Sequence, residues 1–132
     1  MILADTSAWV EYDRATGSAV DLRMTGLIDE RGPLAVTDPV LMEVLGGAQD
    51  PQRRDDLSRL LHRFEWLRFQ PEVDFAAAAD IYRACRSVGI TPRGYLDCMI
   101  AQVALRSGAS LLQRDVDLER VANVIGVRMD QP

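Results

Sequence analysis

Met1-Ile2-Leu3-Ala4-Asp5-Thr6-Ser7-Ala8-Trp9 opens the chain with an apolar run that stops on a carboxylate followed by two hydroxyls. Four apolar residues without alternation predict a strand covered on both faces, as in a parallel sheet. Thr6 and Ser7 are placed to accept bonds from the free N–H groups of a helix through Ala8-Trp9-Val10. Asp5 then sits at the carboxyl end of the first strand, where open α/β sheets place their ligands. The plainer alternative is that Asp5 only assists the helix start.

Outward from that stretch, helical and extended signals alternate. A second helix is expected from Ser18 to about Glu30, with Val20, Met24, Leu27 and Ile28 on one face. Leu34-Ala35-Val36 reads as a strand, and Thr37-Asp38-Pro39 as a helix start with proline in the first helical position. That helix runs to Gly46-Gly47, with Glu43 beside its apolar face. Asp50-Pro51 opens another helix, with Leu57, Leu60, Leu61 and Phe64 at helical spacing, before a third strand over Glu65 to Phe69. Asp74 is expected to cap an alanine-rich helix reaching about Val88. Thr91-Pro92 leads into a helix from Arg93 to about Ser107, with Asp97 at the margin of its buried arc. Ala109 to Leu112 is the fourth strand; a short helix near Leu118 to Ala122 and a last strand within Val124 to Met129 close the chain.

Length and composition bound the answer. A chain of 132 residues predicts one domain with a single core. No apolar run approaches a membrane span and no basic leader precedes the first strand, so a cytoplasmic protein is expected. Cys85 and Cys98 fall inside helices and lack zinc-site spacing, which makes them reduced core residues. All 15 basic residues are arginine. The absence of lysine excludes a phosphate-loop lysine, a Schiff-base lysine and a Ser-x-x-Lys pair, and it weakens the case for a phosphoryl-transfer receiver domain. The lone His62 has no nucleophile partner in a recognisable context. Carboxylates and a metal are left to carry any chemistry. The net charge of −5 argues against a nucleic-acid partner unless the acids are gathered in one site, where two divalent ions would nearly cancel it.

Strands separated by helices imply right-handed crossovers, with all strand carboxyl ends on one rim. Asp5 and Asp115 follow strands onto that rim. Glu43 and Asp97 lie early in helices whose starts are marked by Pro39 and Pro92, near the same rim. Like charges so gathered need a positive partner. An all-oxygen site suits Mg²⁺ or Mn²⁺, and water acidified by such an ion can attack a phosphodiester in line. Taken singly, Glu43 and Asp97 read as solvated helix residues, and Asp115 and Asp117 as turn and cap residues.

Together, Met1-Ile2-Leu3-Ala4-Asp5-Thr6-Ser7-Ala8-Trp9, Pro39-Val40-Leu41-Met42-Glu43-Val44-Leu45, Tyr95-Leu96-Asp97-Cys98-Met99-Ile100-Ala101 and Leu111-Leu112-Gln113-Arg114-Asp115-Val116-Asp117 resemble a PIN-domain protein, and more closely the toxin of a VapBC toxin–antitoxin pair. The resemblance covers the whole chain. It implies an α/β fold, a parallel sheet of order 3-2-1-4-5 flanked by helices. It also implies a Mg²⁺- or Mn²⁺-dependent endoribonuclease acting on structured RNA such as tRNA or rRNA. The implied partners are an inhibitory VapB-type antitoxin whose tail covers the site, and a second copy in a homodimer within the larger complex. Asp5, Glu43, Asp97 and Asp115 match the family's four acidic places, and Asp117 a fifth, more variable one. Ser7 matches the hydroxyl that steadies the first acid, with Thr6 beside it. On that reading Asp5, Asp97 and Asp115 hold metal directly or through water, Glu43 and Asp117 are further candidate ligands, and Glu43 orients or deprotonates the attacking water. Arg14, Arg86, Arg93 and Arg114 are candidates for phosphate contact. Trp9, Val10, Leu41 and Leu45 either bind an antitoxin helix in a groove or are plain core. The rival from another class is a non-catalytic PIN-like module that only binds a partner, against which the intact acid set argues.

Overall fold

The computed structural model describes residues 1–132. Its elements are β1 (Ile2–Ala4), α1 (Thr6–Asp13), α2 (Ala19–Asp29), β2 (Leu34–Val36), α3 (Asp38–Gly46), α4 (Pro51–Leu61), β3 (Glu65–Trp66), α5 (Pro71–Ser87), α6 (Tyr95–Ser107), β4 (Ser110–Leu112) and α7 (Val116–Ile125). The strands form one parallel sheet of order β3-β2-β1-β4. Leu3 pairs with Ala35 on one side and Leu111 on the other. Because β1 is central, its apolar residues are buried on both faces: Ile2, Leu3 and Ala4 all join the core. Helices cover the sheet and complete that core, which includes the fully buried Trp9, Met24, Leu61, Ile100 and Leu118. Cys85 and Cys98 are buried and unpaired, as expected. No helix is long and apolar enough to cross a membrane.

Three departures from the sequence reading have physical causes. The third strand stops at Trp66 instead of Phe69. Its partner β2 has already turned into α3, so after Leu67 N bonds Val36 O at 2.8 Å no ladder remains. The Asp38 carboxylate takes over, accepting from Trp66 Nε1, Arg68 Nη1 and Phe69 N. The fifth strand does not form, because α7 continues to Ile125 and ends on Gly126 in the left-handed region, φ 76°. Only an isolated parallel bridge, Leu111 to Met129, marks the fifth place beside β4. Asp74 does not begin α5. The helix starts at Pro71 after Gln70, and Asp74 is fully buried one turn in, where it accepts from Gln70 N, Gln102 Nε2 and Arg106. It ties α5 to α6.

Candidate active site

Parallel pairing decides which residues meet. Ala4 lies opposite Leu112, and Asp5 N donates to Leu112 O at 3.0 Å, so the chain leaves β1 and β4 side by side. Both exits end on an aspartate that caps the next helix. Asp5 is the N-cap of α1: its Oδ2 accepts from Ser7 N at 3.1 Å and Ser7 Oγ at 2.7 Å. Thr6 and Ser7 therefore do not cap the helix as the sequence suggested, since the acid itself does. Asp115 caps α7, its Oδ1 accepting from Asp117 N at 2.9 Å and Leu118 N at 3.5 Å. The capping and functional readings of these acids are compatible, because in each the capping bonds occupy a single carboxylate oxygen.

The two hydroxyls do other work. Ser7 Oγ, while donating to Asp5, accepts from Arg114 N at 2.9 Å and so ties the β1 exit to the β4 exit. Thr6 Oγ1 donates to Glu43 Oε1 at 2.8 Å, which fixes the glutamate of α3 against the start of α1. Asp97 enters from the first turn of α6. Together Asp5, Thr6, Ser7, Glu43, Asp97 and Asp115 line a cleft of about 320 Å³, with Val10, Glu11, Arg93 and Arg114 completing its wall.

The electrostatics show how closely the acids are gathered. Burial, followed by repulsion from Asp115 and Asp5 and more weakly Glu43, pushes the Asp97 carboxyl up to about 6. Asp5 is also raised, chiefly by its burial at 3% exposure, although the Ser7 hydrogen bonds oppose the shift. An oxygen-only donor set under mutual repulsion fits a hard divalent cation. As the side chains stand, however, no three of them are arranged to close on one ion.

A family model described as the PIN domain matches residues 2–124. Ribonuclease VapC11 of Mycobacterium tuberculosis is 45% identical over 130 residues, which span 97% of this chain and 96% of that protein. The VapC ribonuclease Mb1587 of Mycobacterium bovis matches to the same extent. The chain belongs to the PIN-domain family, among the VapC ribonucleases. The fold agrees. VapBC2 of Rickettsia felis, solved bound to a DNA fragment from its promoter, superposes with a TM-score of 0.76 at 19% identity, over 98% of each chain. The sarcin–ricin-loop-cleaving toxin VapC20 of M. tuberculosis gives 0.71 at 16% identity over the full length of both chains.

Not every candidate reaches the cleft of this PIN domain. Asp117 is outside the lining; its backbone N–H donates to Asp115, and its carboxylate meets the site only through Arg93. Arg14 faces a neighbouring groove, and Arg86 lies in the last turn of α5, away from the cleft wall. The helix expected to include Arg93 starts later, at Tyr95 after Gly94, which leaves Arg93 in the preceding loop. Of the apolar candidates, Trp9 belongs to the core, while Leu41 and Leu45 are partly buried against it. Sequence reading missed Glu11, which lines the cleft and pairs with Arg114. Its position, one helical turn after Ser7, was the available signal.

Proposed function

We propose that this PIN-domain protein is the toxin of a VapBC pair, a Mg²⁺- or Mn²⁺-dependent endoribonuclease that cleaves structured RNA such as tRNA or rRNA in the cytoplasm. The observation that carries this is the single cleft lined by Asp5, Glu43, Asp97 and Asp115, acids from four separate segments of the chain. The ribonuclease names of relatives at 45% identity support RNA as the substrate.

In this reading Asp5, Asp97 and Asp115 would hold the cation, and Asp117 is an outlying fifth acid beyond the cleft lining. When bound, the ion supplies positive charge to the scissile phosphate and lowers the pKa of water beside it. Glu43, held by Thr6, would orient an attacking water and take its proton. Ser7 keeps Asp5 in place, and its bond to Arg114 N holds the loop after β4 against α1. Arg93 and Arg114, both largely exposed on the rim, are the candidates to take phosphate oxygens, a local positive charge within a chain of net charge −5.

The inhibitory partner is a VapB-type antitoxin, and a homodimer is the expected unit of the complex. A groove of about 310 Å³ beside the cleft shares Val10 and Glu43 with it and continues along Trp9, Val44 and Leu57. Trp9 Nε1 is buried there without an acceptor. An antitoxin segment lying in this groove would reach the catalytic acids directly.

Asp5→Asn should lower RNA cleavage by at least about a hundredfold with its circular dichroism spectrum unchanged. EDTA should abolish wild-type cleavage. Cleavage by the variant at the wild-type rate, or undiminished activity in EDTA, overturns the mechanism.

A further inference from the structure

Among the acids of the cleft, Asp115 is held by a cation the protein itself supplies. Arg93 Nη2 donates to Asp115 Oδ2 at 2.8 Å, and Nη1 of the same guanidinium lies 3.2 Å from Asp117 Oδ2. One side chain thus bridges two carboxylates whose charges would otherwise face each other. The remaining Asp115 oxygen is committed to capping α7. Both oxygens of this carboxylate are therefore engaged, one with the helix and one with Arg93. Asp115 has no oxygen free to turn toward the other acids of the cleft while Arg93 stays in place.

We infer that Arg93 is a built-in competitor of the divalent cation, occupying the Asp115 oxygen that the metal requires and having to swing away before the ion is held. This rests on the metal-dependent reading above. The local structure permits the movement. Arg93 precedes Gly94 and lies outside α6, its side chain is 67% exposed, and its partners are the two carboxylates alone. An exposed ion pair of this kind is weak enough to exchange, yet strong enough to shift a competing equilibrium several-fold.

Arg114, the other rim arginine, provides the internal control. It pairs with Glu11, which is outside the proposed metal-binding set. Removing either arginine changes the net charge equally, but only Arg93 releases Asp115. A general charge effect and a specific latch therefore predict different results.

The test is a MnCl₂ titration of the EDTA-stripped full chain without RNA, followed by the thermal shift that a ligand of the folded state produces. Arg93→Gln should lower the half-saturating metal concentration about fivefold relative to wild type. Arg93→Lys, which keeps a charge but not the two-pronged grip, should fall between them. Arg114→Gln should stay within about twofold of wild type. An unchanged or raised half-saturation point in Arg93→Gln overturns the inference, as does an equal shift in Arg114→Gln. Failure of the underlying reading looks different: wild type and all variants would be insensitive to metal and would cleave RNA in EDTA.

Discussion

Asp74 and Asp97 are the same residue type on packed neighbouring helices, and their environments drive them in opposite directions. Asp74 is completely buried, yet its carboxyl is held below the ordinary range. Burial alone would raise it, but Arg106, the Gln70 backbone and Gln102 all donate to it. Asp97 is only half-buried, yet burial, reinforced by repulsion from Asp115, Asp5 and Glu43, pushes it up to about 6. Burial raises both acids; donors reverse the shift at Asp74, and neighbouring acids reinforce it at Asp97. Where donors surround the acid it joins two helices, and where acids surround it the chain keeps an unfavourable arrangement that a cation would relieve.

The largest effect should come from breaking the satisfied side of this pair. Arg106→Ala leaves the Asp74 charge buried with fewer donors and is expected to cost roughly 3 kcal/mol in urea unfolding. A loss below about 1 kcal/mol would mean that Asp74 does not depend on its partner. On the unsatisfied side the sign reverses. In EDTA at pH 7.5, Asp97→Asn should stabilise the protein by about 1 kcal/mol, a figure reduced for solvent screening of a partly exposed group. The same variant should lose most of its thermal response to Mn²⁺. Destabilisation by Asp97→Asn would remove the contrast.

The smallest effect is a slope. Asp97 has a folded-state value above its ordinary 3.8, so between about pH 4 and 6 the folded protein holds more protons than the unfolded chain. Its contribution is present at low pH and lost as pH rises through 6. For Asp74 the shift is downward, so its contribution is present above 3.8 and lost as pH falls below it. In EDTA, subtracting the Asp97→Asn stability curve from that of wild type should leave a decline of about 1 kcal/mol or less across pH 4 to 6. A rising or flat difference would contradict the repulsion among the acids.

Much of this was legible from local rules. Unbroken apolar runs gave the buried strands, Pro39 and Pro51 marked the starts of α3 and α4, and alternation of strand with helix gave a parallel sheet. The acids at the ends of β1 and β4 followed from that topology, and the cleft brings Asp5, Glu43, Asp97 and Asp115 to one place. The errors arose where a residue's partner is distant in sequence. Asp74 looked like a helix cap because Arg106, its main donor, lies on another helix. The third strand was read too long because nothing within Glu65 to Phe69 reveals that β2 has ended beside it.

The sequence by itself determined the sheet, the helices that flank it and the identity of the acids at its rim, since each depends on periodicity and on which residue follows a strand. Only the tertiary structure decided what each acid touches. Thr6 binds Glu43 instead of capping its own helix, Ser7 joins the two strand exits, and Arg93 bridges Asp115 and Asp117. These pairings depend on side-chain reach between segments up to 107 residues apart, which no local pattern encodes.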